Sequence, residues 1–259
     1  MRRERFWKKA CAILVCCLVS AACFRAPRER EILVSTAISL KDAFEELGEL
    51  YERQSGVAVR LNLGSSGVLQ KQIEGGAPAD VFASAGMRQM DVLESAGLIA
   101  PGTRRTFARN RLVVVLPSGS PLELESFEGL AGPEWARLAI GNPQTVPAGQ
   151  YAAEALEHLR IWDRLQARLV PAGNVRQVLD YVVRGEVDAG FVYASDVPSS
   201  RGKAVIAAAA PEGSHAPILY PIAQVRDAAS PGEARAFIDL VAGGSGQAIL
   251  ERHGFLPYR

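Results

Sequence analysis

Short runs of apolar and β-branched residues alternate along the chain with longer stretches in which apolar residues recur every three or four positions. The helical spacing is clearest over residues 40–51 and 152–162. The runs predict strands at residues 32–34, 57–61, 81–83, 112–116, 138–140, 190–193, 205–206 and 218–225. Strands and helices in repeated alternation predict an α/β fold, and we expect its sheets to be mostly parallel.

The N-terminus has a different pattern. Residues 1–9 contain five basic residues and one acidic residue, and residues 10–22 contain no charged residue. This order is typical of a secretory signal peptide. The uncharged run has 13 residues, fewer than the roughly 20 that a transmembrane helix needs. We therefore predict a signal peptide over residues 1–22 and an exported protein, with a permanent transmembrane helix as the weaker alternative.

All four cysteines lie in the first 23 residues, at Cys11, Cys16, Cys17 and Cys23. The small residues that precede Cys23 resemble the lipobox of bacterial lipoproteins, in which cleavage leaves this cysteine as the acylated N-terminus. The alternative is an ordinary signal cleavage near residue 22 that leaves a free thiol. We favour lipidation of Cys23, with residues 23–30 as a tether to the folded part. The rest of the chain offers neither a disulfide nor a cysteine nucleophile.

Composition narrows the class of protein. The 259 residues are 48% hydrophobic and 22% charged, which is ordinary for a folded protein. This length suits one large domain or two lobes of about 100–130 residues each. The 29 basic and 28 acidic residues nearly cancel, so the chain as a whole attracts neither nucleic acid nor an anionic membrane. A charged ligand must therefore be bound by a local site.

Four predicted helices are each preceded by a loop of small residues, and these loops span residues 35–39, 64–67, 146–149 and 171–175. Ser39 and Asn174 are candidate helix caps, and Pro147 suits a first helical turn. The first backbone N–H groups of a helix lie unpaired at the positive end of its dipole, where they can bind an anion. One such loop is most often only a cap. Several together favour a ligand cleft at the carboxyl ends of the strands.

Several separated motifs resemble, in order, the molybdate-binding proteins of ABC importers. They are Val-Ser-Thr-Ala-Ile-Ser-Leu at 34–40, Gly-Ser-Ser-Gly at 64–67, the segment 72–82, Val-Pro-Ala-Gly-Gln-Tyr-Ala at 146–152 and Gly-Phe-Val-Tyr at 190–193. The resemblance implies a two-lobed periplasmic-binding-protein fold of type II, with a mixed sheet flanked by helices in each lobe and a cleft between the lobes.

The lobes predicted from this layout have specific bounds. Residues 31–112 form the first part of lobe 1, residues 113–220 form lobe 2, and residues 221–259 return to lobe 1. The β-rich runs 112–116 and 218–225 are the expected crossings between the lobes.

The resemblance also implies a site for a tetrahedral oxyanion. Its ligands would be the hydroxyl and backbone N–H of Ser39 and Ser66, the backbone N–H of Ala148 and Val175, and the phenol of Tyr193. The ion would be molybdate, with tungstate as a second ligand, and sulfate is the main alternative. Within the first motif, Ser35, Thr36 and Ile38 replace small alanines, and Ile38 would narrow the pocket.

The charge of the four loops agrees with that site, because none of them contains Lys, Arg, Asp or Glu. A site made only of donors disfavours hydrogen phosphate, whose proton would lack an acceptor at a cost of about 1–3 kcal/mol. Molybdate, tungstate and sulfate arrive fully deprotonated. The sequence does not separate these three ions.

The expected role is capture and delivery, without catalysis. The resemblance implies a separate ABC permease and its ATPase as partners, no resident cofactor, no nucleic acid, and a monomer in the periplasm or on the outer face of the membrane. His158, His215 and His253 lack the spacing of a metal site and are expected at the surface. Asp80 is expected to bond backbone groups in a turn.

Overall fold

The computed structural model describes residues 30–258, and the chain from Glu31 onward forms one compact unit. The predicted signal peptide and Cys23 lie outside the described residues. The strands are β1 Glu31–Ala37, β2 Ala58–Gly64, β3 Val81–Ala83, β4 Arg105–Arg109, β5 Leu112–Pro117, β6 Leu138–Gly141, β7 Leu169–Ala172, β8 Ala189–Tyr193, β9 Ala204–Ala209, β10 Leu219–Gln224 and β11 Leu256–Pro257.

The α-helices pack around these strands. They are α1 Lys41–Ser55, α2 Ser66–Glu74, α3 Met87–Ser95, α4 Pro147–His158, α5 Trp162–Leu165, α6 Val175–Val183, α7 Pro231–Ala242 and α8 Gly244–Arg252. None of the helices within residues 30–258 has the length and apolar character to cross a membrane.

The strands form two mixed sheets, which define two lobes. The first sheet has the order β11-β4-β10-β3-β1-β2 and the second has the order β7-β6-β8-β5-β9. In the first, β1 is parallel to β2 and β3, whereas β10 is antiparallel to β3 and β4. In the second, β6 is parallel to β7 and β8, whereas β5 is antiparallel to β8 and β9.

The expectation of mostly parallel sheets was therefore wrong, while the mixed sheets that the resemblance implied are present. The antiparallel strands β5 and β10 are those that the chain enters directly from the other lobe. Such a strand needs no crossover helix to reach its neighbours, so a parallel arrangement is not imposed on it.

The chain passes between the lobes twice, in short loops. It leaves the first sheet at Arg109 and enters the second at Leu112, and it returns between Ala209 and Leu219. The runs 112–116 and 218–225, expected to carry the crossings, correspond to β5 and β10, each of which lies in a single sheet. The crossings therefore fall in the loops that precede them.

Two of the three residues predicted to start a helix, Pro147 and Asn174, have the predicted role. Pro147 stands in the first turn of α4. Asn174 caps α6, because its Oδ1 accepts the backbone N–H of Gln177 at 3.0 Å. The prediction that Ser39 is a cap was wrong. The chain leaves β1 through a 3-10 turn at Ile38–Leu40, which contains Ser39, and the residue before α1 is Leu40, with no side-chain cap.

The main apolar core is continuous across both lobes, and aromatic rings pack within each lobe and between them. Phe44 packs on Phe237 in the first lobe, with ring centroids 6.0 Å apart. Phe127 packs on Phe191 in the second lobe at 5.8 Å. At the junction, Tyr193 of β8 meets Tyr220 of β10 edge to face at 5.7 Å. This last contact places a residue from each lobe beside the cleft.

Candidate functional site

A small cavity lies in the cleft, where the first lobe meets the second. Its lining comprises Ala37, Ile38, Ser39, Gly64, Ser65, Ser66, Ala85, Val146, Pro147, Ala148, Val175 and Tyr193. The structure thus brings the five predicted ligand residues, Ser39, Ser66, Ala148, Val175 and Tyr193, to one place. None of the lining residues carries a formal charge.

The cavity is far smaller than an ordinary site for an organic ligand. Its volume is about 10 Å³, near the 10–15 Å³ that one water molecule requires and well below the roughly 300–1,000 Å³ of typical small-molecule pockets. A groove of about 650 Å³ also runs past Arg109, Arg111 and His215. In the described part of the chain, none of the buried polar atoms without partners belongs to a residue that lines this groove, whereas one of them, Ser65 Oγ, belongs to a residue that lines the small cavity. We therefore take the small cavity as the candidate site.

Three helices begin at this cavity. α2 starts at Ser66, α4 at Pro147 and α6 at Val175, and each residue lines the cavity. The first N–H groups of a helix have no partner within it, and the helix dipole places partial positive charge there. α4 can lie close to the end of β6 because residue 149 is glycine. A Cβ atom at this position would lie 1.8 Å from the carbonyl oxygen of Gly141.

Ser66 is oriented as a donor toward the cavity. Its side chain is buried, and its Oγ accepts the backbone N–H of Ala85 at 3.0 Å. Because that contact occupies a lone pair and not the proton, the hydroxyl proton of Ser66 remains available to a ligand.

Ser39 lies at the end of a hydrogen-bond chain that starts at the crossing between the lobes. Asn110 Nδ2 donates to Tyr220 Oη at 3.2 Å, and Tyr220 Oη lies 3.4 Å from Ser39 Oγ. Since the amide nitrogen can only donate, the Tyr220 proton is free to point at Ser39, and the Ser39 proton is free to point at the cavity. Sequence reasoning missed Asn110 and Tyr220, which lie far from Ser39 along the chain.

Tyr193 reaches the cavity with its proton already engaged. Its Oη donates to the carbonyl oxygen of Ala85 at 3.0 Å, a bond between the two lobes. Burial, together with the nearby Tyr220, raises the pKa of Tyr193 well above its usual value, so the phenol stays neutral. To donate to a ligand, the phenol must turn away from Ala85.

Arg176, one residue after Val175, joins the lobes by ion pairs. Its Nη2 lies 2.7 Å from Asp42 Oδ2 of α1, and its Nε lies 2.9 Å from Asp196 Oδ1 in its own lobe. Burial raises the pKa of Asp196 to about 6 against the opposing effect of Arg176. Burial acts to raise the pKa of Asp42, but the hydrogen bond and charge of Arg176, together with Lys41 and His253, hold this pKa below its usual value.

One backbone contact and one side-chain contact also connect the two lobes across the cleft. The backbone N–H of Gly67 donates to Thr145 O at 2.9 Å, and Gln89 Nε2 donates to Gln150 Oε1 at 3.2 Å. These contacts and the Arg176–Asp42 pair surround the cavity with bonds that must break for the lobes to separate.

The other residues singled out from sequence have structural partners. The backbone role predicted for Asp80 is confirmed, because its carboxylate accepts the N–H of Leu33 at 2.7 Å and of Ser230 at 2.9 Å. His158 is exposed, whereas His215 and His253 are half-buried, and His253 Nε2 lies 2.8 Å from Glu46 Oε2. Within residues 30–258, no group of His, Cys, Asp and Glu is arranged to hold a metal ion.

Comparisons with known proteins agree on one kind of protein. Residues 32–256 match the family described as bacterial extracellular solute-binding protein. The molybdate-binding protein of Escherichia coli (strain K12) is 39% identical over 233 residues, 88% of this chain and 89% of that protein. A Bacillus subtilis (strain 168) protein, provisionally named an ABC transporter substrate-binding lipoprotein, is 38% identical over 225 residues, 86% and 85% of the two chains.

Among solved structures, the periplasmic molybdate-binding protein of Azotobacter vinelandii superposes with a TM-score of 0.78 at 30% identity. The match covers 88% of this chain and 100% of that one.

We expect Asp196→Asn to change the pH dependence of stability. An unfolded aspartate binds a proton near pH 3.8, whereas folded Asp196 binds one near pH 6, so the folded state holds more protons between these values. This carboxyl therefore contributes stability at low pH that is lost as the pH rises through 6. At about 1.4 kcal/mol for each pH unit between the two pKa values, the effect reaches about 3 kcal/mol.

Urea unfolding of the protein and the variant between about pH 4 and pH 7.5 measures this difference. Asp42→Asn, which removes the other partner of Arg176, is the matched control. For this variant the stability difference from the parent should shrink, not grow, as the pH falls, because the pKa of Asp42 is lowered. A difference between the protein and Asp196→Asn that stays constant across the pH range would contradict the prediction.

Proposed function

The chain belongs to the bacterial extracellular solute-binding proteins, and from this we propose that it captures molybdate in the cleft between its lobes and delivers it to an ABC importer. Tungstate would be a second ligand. The molybdate-binding names of the E. coli and A. vinelandii relatives support this choice of ion.

The observation that carries the proposal is that the starts of α2, α4 and α6 converge on one cavity whose lining is uncharged. A small dianion in that position would meet helix-start N–H groups and serine hydroxyls in place of basic side chains. Each hydrogen bond to a charged group contributes about 1.5–3 kcal/mol, so six or seven converging donors could offset the dehydration of the ion.

The ligand set we propose is the one derived from the family motifs. Ser39 and Ser66 donate through hydroxyl and N–H, Ala148 and Val175 donate through N–H, and Tyr193 donates through its phenol after it releases Ala85. Ser66 is the best prepared of these, because its bond to the Ala85 N–H leaves its proton free.

Sulfate is the alternative, because it is also tetrahedral, doubly charged and free of protons near pH 7. Only the radius of the cavity separates it from molybdate. Hydrogen phosphate is disfavoured because the proposed ligand set has no carboxylate to accept its proton.

We propose that ligand binding stabilises a closed arrangement of the lobes, in which residues 31–109 with 219–258 close against residues 112–209. Ser39 and Ser66 belong to one lobe, and Ala148, Val175 and Tyr193 belong to the other. A ligand that contacts both sets binds the closed state more tightly than the open one and shifts the population toward it.

The protein would act as an exported monomer, without catalysis, cofactor or nucleic-acid partner. Its partners would be a membrane permease and the associated ATPase. We place it in the periplasm or on the outer face of the membrane, with acylated Cys23 as its only membrane attachment. The word lipoprotein in the name of the B. subtilis relative favours this anchor.

Thermal unfolding in the presence of four anions tests the proposed ligand. We expect molybdate and tungstate to raise the melting temperature, because a ligand at a hundred times its Kd stabilises the folded state by about 2.7 kcal/mol. Sulfate should need far higher concentrations, and phosphate should have the least effect. Equal shifts with sulfate at the same concentrations would favour the alternative, and no shift with any anion would exclude the proposal.

Ser39→Ala and Ser66→Ala should each weaken molybdate binding, because an oxygen of the ion loses its partner in a dry site. The expected loss is about 1–3 kcal/mol, or about tenfold to a hundredfold in Kd, measured by calorimetry. Ser214→Ala is the matched control, since that buried hydroxyl donates to Pro211 O at 2.6 Å and lies outside the cavity lining. Parental Kd values in both site variants would refute the ligand set.

Replacing Cys23 tests the anchor in cells that express the full chain. Palmitate labelling and partition into detergent should disappear in Cys23→Ala, because the acylated residue is gone. Cys17→Ala, within the signal peptide, should keep both. If the parent and Cys23→Ala are recovered equally, unlabelled, in the soluble exported fraction, Cys23 is not an anchor.

A further inference from the structure

Ser65 lines the cavity, and the structure leaves its hydroxyl without a partner. The residue stands between β2 and the first residue of α2, and it is 5% exposed. Within residues 30–258, its Oγ is one of three fully buried side-chain polar atoms that form no hydrogen bond. Buried polar groups are normally paired, so such an atom requires an explanation.

The usual role of a serine at this position is to cap the helix. A serine before the first helical residue ordinarily accepts a backbone N–H from the first turn through its Oγ. Ser65 makes no such bond. Its carbonyl oxygen accepts the N–H of Leu69 at 3.0 Å, so the backbone follows the helix while the hydroxyl takes no part in it.

The other two atoms without partners do not belong to residues that line the cavity. They are Thr36 Oγ1 and Gln89 Oε1, and neither residue belongs to the cavity lining. Ser65 therefore combines the two properties that a ligand contact needs: a free buried hydroxyl and a place on the wall of the site.

The hydroxyls of the predicted ligand residues already have partners. Ser66 Oγ accepts from Ala85 N, Tyr193 Oη donates to Ala85 O, and Ser39 Oγ lies near Tyr220 Oη. A ligand that takes a hydrogen bond from Tyr193 must displace an existing one. A ligand that takes one from Ser65 displaces no protein partner, so this bond adds to affinity without breaking one within the protein.

We propose that Ser65 is a further ligand-binding residue, whose Oγ–H donates to an oxygen of the captured oxyanion. This inference rests on the function proposed above and adds a side-chain donor at the start of α2. It also explains why the hydroxyl is not used to cap the helix.

Ser65→Ala and Thr36→Val test the inference as a pair. Each removes a buried hydroxyl that lacks a partner, so each should leave the melting temperature of the ligand-free protein unchanged or higher. Calorimetry with molybdate should separate them. We expect the Kd to rise about tenfold to a hundredfold in Ser65→Ala and to stay at the parental value in Thr36→Val.

The outcomes that overturn the inference are distinct. If Ser65→Ala lowers the melting temperature without ligand and leaves the Kd unchanged, Ser65 is an ordinary helix cap. If the Kd rises equally in both variants, the effect is not specific to the cavity wall. If the parent protein binds none of molybdate, tungstate, sulfate and phosphate, the proposed function fails and this inference fails with it.

Discussion

Backbone N–H groups at the start of a helix lack partners within that helix, and three helices of this chain direct such groups at one cavity between the lobes. Around that constraint the rest of the site is arranged. The lining carries no charge, so the partial positive charges of the helix starts are not neutralised by a carboxylate. The tight approach of Gly149 to Gly141 brings α4 close to its sheet. The two mixed sheets also contribute to the site, since loops from each sheet line the same cleft.

The contacts between the lobes are of a different kind from those inside the cavity. Arg176, the residue after Val175, forms an ion pair with Asp42 across the cleft. Because Asp42 is well exposed, this pair contributes little to stability by itself. It does fix the orientation in which α1 and α6 meet. Charge thus aligns the lobes at the rim, while neutral donors occupy the centre.

Local chemistry made part of this predictable. The cap at Asn174 and the proline at the start of α4 depend on residues within three positions of each other, and both were found from sequence. Ser39 lines the cavity, but it is not the helix cap that the sequence predicted, because a 3-10 turn that contains it precedes α1. β4, β7 and β11 were missed, since β4 has arginine at both ends, β7 contains Pro171 and β11 has only two residues. The contacts of Asn110 and Tyr220 depend on tertiary pairing, which no local pattern reports. For Ser65 the only signal was its position beside Ser66.

Asn110 stands in the loop where the chain first crosses between the lobes, and its side-chain amide bonds both Ser195 Oγ of the second lobe and Tyr220 Oη of the first. A rotation about this crossing moves the two acceptors relative to each other, so one amide cannot keep both bonds through a large opening. The tyrosine is also the neighbour of Ser39 Oγ. Opening of the lobes would therefore disturb, through this amide, the tyrosine that lies beside a hydroxyl of the cavity.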